Sequence, residues 1–232
     1  MRTLLALLIF LPTTAFAQDT PATGSKSKPD TMAKWKPLFD GKTTDGWKNP
    51  YEWGEIKVKD GEIHLTASKK FFLCTEKKYS DFILEGEVKI PEGQANSGFM
   101  FRCHVEKNKV FGYQAEVDGS DRRWSGGLYD EGRRGWVWPS KKGRSKDKEM
   151  LKYEEESQNH FKKPEVAGAL KRTGWNKYRV TCKGESIKIE VNGVTTTEIK
   201  DKTDAEGHIA IQHHGEKGQT YRFRNLRIKE LK

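Results

Sequence analysis

Cysteine is scarce in this sequence, which has three of them, Cys74, Cys103 and Cys182. The count is odd and no two cysteines stand in a Cys-x-x-Cys spacing, which argues against a disulfide framework and against a zinc knuckle. One disulfide with a spare thiol and three buried thiols both fit the pattern. A domain of about 200 residues can bury a core that needs neither disulfides nor metal.

Long apolar runs are lacking as well. The run Leu4–Leu11 is too short to span a bilayer, and no later stretch is long or apolar enough to do so. It follows the basic Arg2 and precedes Ala15-Phe16-Ala17, which is the order of a secretory signal peptide and its cleavage site. We therefore expect residues 1–17 to be a signal peptide, residues 18–34 to be a polar, disordered linker, and the mature protein to be secreted or periplasmic.

The charge is biased towards one sign, since the formal net charge is +10. Much of the excess lies between residues 133 and 172, in a stretch that also carries Glu154, Glu155 and Glu156. A mixed-charge segment of this kind is usually a solvated surface rather than a nucleic-acid interface. We expect no nucleic-acid partner and no membrane span, and the sequence does not set the oligomeric state.

Helix signals and internal repeats are also few, whereas short segments of period two recur along residues 35–232. Asp60-Gly61 and Asn192-Gly193 are signals for two-residue hairpin turns. The predicted strands are 55–58, 62–66, 82–90, 98–104, 112–118, 176–182, 186–191, 194–199, 208–214 and 221–229. The pattern predicts an all-β, antiparallel sandwich or barrel in one domain over residues 35–232. A long charged loop is expected at 137–173, with one amphipathic stretch near 148–158.

The alternation along these strands assigns side chains to a core face and a polar face. The residues expected in the core are Phe82, Leu84, Phe99, Phe101, Cys103, Tyr178, Val180, Ile187, Ile189, Ile209 and Ile211. On three of the strands the opposite parity holds polar groups, namely Arg102, Gln114, Glu116, Asp118, Gln212 and His214. These six side chains are predicted to lie on one face.

Two further features favour a saccharide cleft at this face. The adjoining loops are rich in glycine and in aromatic residues such as Trp124, Tyr129 and Trp136, and aromatic rings stack on the C–H faces of sugars. Glu116 and Asp118 also stand two residues apart on one strand, which puts them about 6–7 Å from each other. Two close carboxyls can differ in pKa, as acid/base chemistry needs. His213, next to His214 but of opposite parity, is predicted to be structural.

The run Glu116–Asp121 is similar to the E-x-D-x-x-E strand of laminarinase-type retaining glucanases, although its last acid is Asp121 rather than glutamate. A wider resemblance covers nearly all of residues 35–232. Its motifs are WKPLFDGK at 35–42 with DGW at 45–47, WGEIKVKDGEI at 53–63, DF at 81–82, EGEVK at 85–89, NSG at 96–98, FR at 101–102, YQAEVD at 113–118, GGLYDEGRRGW at 126–136, GWNKYRV at 174–180, GHIAIQHHG at 207–215 and FRNLRIKEL at 223–231. In order and spacing the chain resembles the 3-keto-disaccharide hydrolase domain family.

The resemblance implies a concanavalin A-like jelly roll that acts on glycosides oxidised at C3. A ketone at C3 acidifies the hydrogen on C2, so that a base can form an enolate and the C1–O bond can break by elimination. Addition of water would complete a net hydrolysis. Such a site needs a base, an enolate stabiliser and an acid for the leaving group.

The matching positions suggest candidates for each role. Glu116 or His214 is the expected base, Asp118 its orienting partner, and Arg102 the clamp on the enolate oxygen. The substrate is expected to contact Gln114, Tyr129, Glu131, Arg133, Trp136 and Gln212. A divalent metal ion bound by Glu116, Asp118 and His214 would do the same electrophilic work, while neither a nicotinamide nor a flavin is expected.

Two other functions fit the same residues. A non-catalytic carbohydrate-binding module would use the aromatic residues and Arg102 but not the carboxylates. A retaining glucanase would use Glu116 and Asp121 on unoxidised glucans. The leading interpretation is an exported enzyme, a hydrolase or lyase whose substrate is an oxidised glycoside.

Overall fold

The structure is a computed structural model that describes residues 34–141 and 148–231. The signal peptide predicted at 1–17 and nearly all of the linker predicted at 18–34 lie outside these residues. Within them, no helix is both long and apolar enough to cross a membrane.

The described residues form fifteen strands and two helices. The strands are β1 (Lys36–Pro37), β2 (Trp47–Lys48), β3 (Glu55–Lys59), β4 (Glu62–Thr66), β5 (Phe71–Tyr79), β6 (Phe82–Lys89), β7 (Asn96–Glu106), β8 (Lys109–Asp118), β9 (Leu128–Glu131), β10 (Gly135–Trp138), β11 (Asn176–Lys183), β12 (Ser186–Val191), β13 (Val194–Lys200), β14 (Gly207–His213) and β15 (Thr220–Glu230). The helices are α1 (Lys148–Lys162) and α2 (Pro164–Ala167).

The strands pair antiparallel in two sheets. Among the described residues, one sheet has eight strands in the order β13-β12-β11-β6-β15-β4-β3, with β1 added beside β15. The other has seven, in the order β10-β9-β8-β7-β14-β5-β2. The two-sheet antiparallel sandwich predicted from the period-two pattern is confirmed.

The core lies between the sheets and comes from the inward parity of each strand. Ten of the predicted core residues are at most 1% exposed, namely Phe82, Leu84, Phe99, Phe101, Tyr178, Val180, Ile187, Ile189, Ile209 and Ile211. The Asp60-Gly61 turn joins β3 to β4 with φ of 54° and 76°, the left-handed values that a two-residue turn of this kind requires.

A bulge in β7 makes the prediction for Cys103 wrong. The pairing of β7 with β8 shifts register between Phe101 and His104, so the alternation changes phase there. Cys103 therefore joins a second apolar cluster on the outer face of the seven-stranded sheet, with Phe72, Cys74 and Met100. All three cysteines of the chain are buried and free, which decides between the two cysteine arrangements that the sequence allowed.

The segment predicted as a long charged loop contains both helices. α1 packs against the strand before it, because Tyr153 and His160 lie against the ring of Trp138 with centroids 5.3 and 5.9 Å away. The Ser157 hydroxyl accepts the Ser140 amide at 2.9 Å. The amphipathic stretch predicted near 148–158 was the signal for this helix.

Candidate functional site

Three central strands of the seven-stranded sheet, β7, β8 and β14, supply the floor of the site. On β8 the side chains of Tyr113, Ala115 and Val117 enter the core, so Gln114 and Glu116 point to the outer face. A cleft of about 190 Å³ opens on this face. Its lining residues are Lys70, Asn96, Gln114, Glu116, Arg122, Tyr129, Glu131, Trp136, Gln212 and His214.

Glu116 is the buried acid of this cleft, 4% exposed. One carboxylate oxygen accepts the Asn96 amide at 2.6 Å and lies 3.3 Å from an Arg122 nitrogen, and the other accepts the Gln114 amide at 2.8 Å. Burial raises the pKa of Glu116 to about 7, because the neutral amides and the more distant guanidinium offset only part of the lost hydration. A carboxyl with this pKa can both take and return a proton near neutral pH.

Two glutamine side chains lie across the cleft floor. The Gln114 side chain covers Gly98, where a Cβ would stand 2.4 Å from it, so only glycine leaves the necessary room. Its Nε2 also reaches towards Gln212 Oε1, at 3.5 Å. Gln114 Oε1 and Gln212 Nε2 have no hydrogen-bond partner among the described residues, although both are buried. Buried polar atoms without partners are rare in proteins, and these two lie where a ligand would sit.

Arg122 forms one wall of the cleft and was missed by the strand pattern because it comes from a loop. Its guanidinium carbon lies 4.6 Å from the ring centroid of Trp136 and 5.2 Å from that of Trp124. The Trp136 ring in turn meets the edge of Tyr129, with centroids 5.2 Å apart. Arg122, Trp136 and Tyr129 line the cleft as an aromatic wall whose rings meet edge to face, with Trp124 behind it, and a sugar ring can pack on such a surface.

The rim of the cleft carries paired charges. Lys70, also absent from the sequence prediction, lies 2.5 Å from Glu131. His214 follows β14 directly, and its Nδ1 lies 2.9 Å from a carboxylate oxygen of Glu216. The other oxygen of that carboxylate accepts the Tyr221 hydroxyl at 2.8 Å. His214 is thus held in orientation at the edge of the cleft, and about half of its side chain is exposed.

His213, the neighbour of His214, is buried on the core side as its parity predicted. Its ring stacks on Phe71 at 5.9 Å between centroids and meets Tyr221 edge-on at 4.8 Å. Its Nδ1 accepts the Gly215 amide at 2.9 Å. These contacts fix the turn after β14, so the role of His213 is structural.

Asp118 starts the loop that carries Arg122, and it does not line the cleft. Its carboxylate accepts the Ser120 hydroxyl at 2.6 Å, the Arg122 Nε at 2.9 Å and the Trp124 amide at 3.0 Å. These donors outweigh burial and hold the pKa of Asp118 below its ordinary value. Asp118 shapes the loop and positions Arg122, instead of facing the substrate.

Arg102 lies elsewhere, and its predicted place beside Glu116 is wrong. It sits in the β7 bulge with φ of 47°, so the parity that put it on the polar face does not hold. The side chain is 1% exposed and donates to three carbonyl oxygens, those of Ser80, Gly184 and Asp204. It also donates to Asp81 at 2.9 Å. Arg102 ties loops together away from the cleft.

Arg133 and Asp121 are also outside the cleft lining. Arg133 donates to Asp130 at 2.8 Å and pairs with Asp204, so it joins β9 to the loop before β14. The Asp121 side chain is 82% exposed and pairs with Arg172. The Glu116–Asp121 pair that a retaining glucanase would need is therefore not formed.

A protein-family model, the 3-keto-alpha-glucoside-1,2-lyase-like domain, matches residues 34–229. The chain belongs to this family. The match spans the whole sandwich and therefore includes every residue of the cleft.

Several solved structures share the fold of this chain. A protein from Parabacteroides distasonis, provisionally assigned as a glycosyl hydrolase, has 19% identity and a TM-score of 0.56 over 85% of this chain and 94% of that one. A second such protein from that organism has 23% identity and a TM-score of 0.54, over 85% and 100% of the two chains. Carbohydrate-binding module CBM66 from Bacillus subtilis has 14% identity and a TM-score of 0.55, over 80% and 96%. At these identities the likeness establishes the fold alone. No curated protein sequence matches the chain.

The groups around the cleft, including the predicted ligands Glu116, Asp118 and His214, do not suit a metal ion. The oxygens of Glu116 and Asp118 accept hydrogen bonds from N–H and O–H groups, whose positive ends would repel a cation, and Asp118 does not line the cleft that Glu116 and His214 line. No group of three or more His, Cys, Asp or Glu side chains in residues 34–141 and 148–231 is arranged to hold a metal. The residues predicted as ligands therefore do not fit one.

Besides Arg122, two residues that line the cleft were not predicted from the sequence, namely Asn96 and Lys70. Asn96 begins β7 within the Asn96-Ser97-Gly98 motif, and pairs with Asp118 across the ladder. The motif was a signal for it. Lys70 stands just before β5, in a stretch where no strand was predicted, and nothing local marks its role.

Proposed function

We propose that the cleft binds a glycoside carrying a ketone at C3 and cleaves its C1–O bond by elimination. The observation that carries the proposal is Glu116, a buried carboxyl with a pKa of about 7 on the floor of a small polar cleft. Membership of a family described as lyase-like on 3-keto-alpha-glucosides supports the choice of substrate.

The first step is removal of the C2 proton by Glu116. The electron pair of the C2–H bond forms a C2=C3 bond while the ketone oxygen becomes an enolate. The base must be ionised to act, and Asn96 and Gln114 donate to its two oxygens and fix its orientation. A hydrogen beside an unoxidised C3 is too weakly acidic for any carboxylate, so the ketone is required.

The second requirement is a cation near the enolate oxygen. Arg122 takes the part that the sequence assigned to Arg102, because its guanidinium lies 3.3 Å from Glu116 and is held against Trp136. Lys70, which is paired with Glu131, supplies a second positive charge at the rim. Fixed charges of this kind stabilise a developing anion more than water does, since they need no reorganisation.

The third step is departure of the leaving group. The enolate re-forms the ketone, a C1=C2 bond appears, and the C1–O electron pair goes to the leaving oxygen, which takes a proton. His214 at the rim is the proposed donor, aligned by Glu216. The product is an unsaturated 3-keto sugar, and addition of water across C1=C2 turns the elimination into a net hydrolysis.

The test uses one glycoside in two oxidation states. The purified protein is incubated with the plain glycoside and with its 3-keto form, and release of the aglycone is followed. The expected result is cleavage of the 3-keto form alone. Equal cleavage of both forms, or of neither, contradicts the proposal.

A binding module is the second candidate, favoured by the aromatic wall of Arg122, Trp136 and Tyr129 and by the shared fold of CBM66. Glu116→Gln separates the two candidates. A binding module keeps its affinity for the oxidised sugar and never releases product, whereas the enzyme loses turnover on this change.

We also propose that the protein acts outside the cytoplasm, as the segment at 1–17 suggests. Determination of the N-terminus of the protein from the extracytoplasmic fraction tests this. A start near residue 18 is expected, and an uncleaved cytoplasmic chain contradicts it.

A further inference from the structure

A second cavity opens on the outer face of the eight-stranded sheet, on the side of the sandwich opposite to the cleft. Its volume is about 350 Å³, larger than that of the cleft. It lies at a bulge in β15, where the pairing with β6 shifts register between Arg224 and Arg227 and Asn225 adopts φ of 53°. The bulge puts Arg224 and Asn225 side by side at the surface and opens a hollow between β6, β15 and β1.

The lining of this cavity combines an apolar base with planar polar groups. Pro37 is exposed at the base, above Phe39 and Leu226, which belong to the core and are 8% and 1% exposed. The polar groups are Glu85, Glu87, Lys177, Asn225 and Arg227. An apolar floor surrounded by carboxylate, amide and guanidinium groups is the usual chemistry of a sugar-binding site, and the space exceeds what one hexose unit fills.

The lining itself holds two carboxylates and two cations, and two further arginines, Arg179 and Arg224, contact the same carboxylates from outside the lining. Glu85 alone contacts three of these cations, Arg179 and Arg227 at 2.5 Å and Lys177 at 3.1 Å. Glu87 accepts Arg224 at 2.7 Å and the Asn225 amide at 3.1 Å.

The surplus positive charge remains accessible, because the side chains of Lys177, Arg179 and Arg227 are 48%, 43% and 47% exposed. A ligand with its own negative charge would therefore be favoured here.

Two tryptophans hold the arginines in place. The Arg227 guanidinium carbon lies 4.5 Å from the ring centroid of Trp35, and that of Arg224 lies 4.0 Å from that of Trp175. A guanidinium held flat on an indole loses less freedom when it binds an anion than one on a free side chain. The cations are thus prepositioned around the cavity.

We infer that this cavity is a second saccharide-binding site and that it takes an acidic sugar unit, such as a uronate of a polysaccharide. The carboxylate of the sugar would meet Lys177 and Arg227, and its ring would lie against the exposed Pro37. The site does not depend on the catalytic proposal. Because the two cavities lie on opposite sheets, a protein molecule that is bound to a polysaccharide through this cavity keeps its cleft open to substrate.

The probe pair for the test is tetragalacturonate and its fully methyl-esterified form, which share one backbone and differ in charge. Affinity is measured by calorimetry at low ionic strength, and the site is located by amide chemical-shift changes. The acid form is expected to bind about tenfold or more tightly than the ester, the worth of one charge-assisted hydrogen bond. Shifts are expected at Gly86, Lys177 and Asn225, and not at Gly98 or Glu116.

Lys177→Gln removes a lining cation and leaves Arg179 and Arg227 on Glu85, so the sheet should fold. It is expected to weaken tetragalacturonate binding about five- to tenfold, as loss of one charge-assisted contact does. Lys59→Gln is the matched control on the same sheet, away from the cavity, and should bind as the wild type does. Glu116→Gln should also bind unchanged, which separates this site from the cleft.

Several results would overturn the inference. Absence of binding by both probes would mean that the charges only stabilise the sheet. Equal affinity for acid and ester would remove the acidic specificity. Equal weakening by Lys59→Gln and Lys177→Gln would reduce the effect to overall charge. Asn225→Gly, which keeps the backbone conformation and removes the amide, gives a second check if Lys177→Gln is poorly folded.

Discussion

Glu85 and Glu116 are two strand glutamates that solvent hardly reaches, and they differ greatly in chemistry. They lie on the outer faces of the two sheets and are 2% and 4% exposed. Burial raises the pKa of both, but ion pairs with Arg179, Arg227 and Lys177 hold the pKa of Glu85 at about 2, whereas that of Glu116 stands at about 7.

The difference comes from depth and from the neighbours, because Glu116 lies deeper in the protein than Glu85 and has fewer cations around it. Three cations lie within 3.1 Å of Glu85, while Glu116 has two neutral amides and one guanidinium at 3.3 Å. A carboxyl buried among cations stays ionised and stabilises the sheet. A carboxyl buried among amides is left near the midpoint of its titration at neutral pH, which suits a general base.

The largest difference expected between variants of the two glutamates is in catalysis. Glu116→Gln should lower kcat on a 3-keto glycoside by about 10²–10⁴, the usual worth of a positioned base. Glu85→Gln should leave kcat close to the wild-type value, because Glu85 lies on the opposite sheet. Steady-state kinetics of the two folded variants checks both statements, and a similar loss in both would show that the fold is responsible.

Arg122 and Arg102 should differ in the same way, one in catalysis and the other in stability. Arg122→Met should lower kcat by about 10²–10³, as loss of an oxyanion donor does. Arg102→Met should instead cost about 3–5 kcal/mol of folding free energy, because three carbonyl groups lose this donor and Asp81 loses its cationic partner. Denaturant unfolding and kinetics together separate them. A catalytic defect in Arg102→Met at full stability would restore the role that the sequence predicted.

The pair Arg102 and Arg122 also shows how far sequence reasoning reaches. Alternation placed Gln114, Glu116 and Gln212 correctly because β8 and β14 are regular where these residues stand. It failed at Arg102 because a bulge changes the phase of a strand without any local sequence signal.

Loops account for the other errors. Asp118 continues the parity of β8, but the loop that it starts folds back and supplies Ser120, Arg122 and Trp124 as donors. Arg122 reaches the cleft by the same turn. Long-range packing decides where such a loop goes, and alternation holds no information about it.

Stability should respond to the two glutamates with opposite signs. Glu85→Gln should cost about 1–3 kcal/mol at neutral pH, less than a fully buried pair would, because the three cations are nearly half exposed. The cost should disappear as pH falls from about 4.5 to 2, since the stabilisation by Glu85 needs its ionised form.

Ionisation of Glu116 should lower the stability of the protein, whereas ionisation of Glu85 raises it. The reason is that the pKa of Glu116 is raised in the folded state, so that ionisation opposes folding. The wild type should lose stability relative to Glu116→Gln as pH rises from about 4.5 through 7. Melting curves of the three proteins at several pH values test both signs. A stability difference between wild type and Glu116→Gln that stays constant from pH 5 to pH 8 would contradict the assigned environment.

The smallest effect concerns Gln114, whose amide donates to Glu116 at 2.8 Å. Gln114→Met removes that donor and should move the pKa of Glu116 further up, by about one unit. The rise of kcat/KM with pH should then occur at higher pH than in the wild type, while Gln219→Met, outside the cleft lining, should leave the profile in place. An unshifted profile in Gln114→Met would show that Glu116 is not the titrating base.

The most direct test of the central claim is the effect of deuterium at C2 on cleavage of a 3-keto glycoside. If Glu116 removes the C2 proton in the slow step, the deuterated substrate should react more slowly than the protiated one. If proton removal is instead reversed before the C1–O bond breaks, the two rates approach each other and unreacted substrate gains deuterium at C2 in D₂O, with the wild type and not with Glu116→Gln. Cleavage at equal rates, without exchange at C2 and with full activity in Glu116→Gln, would contradict the account.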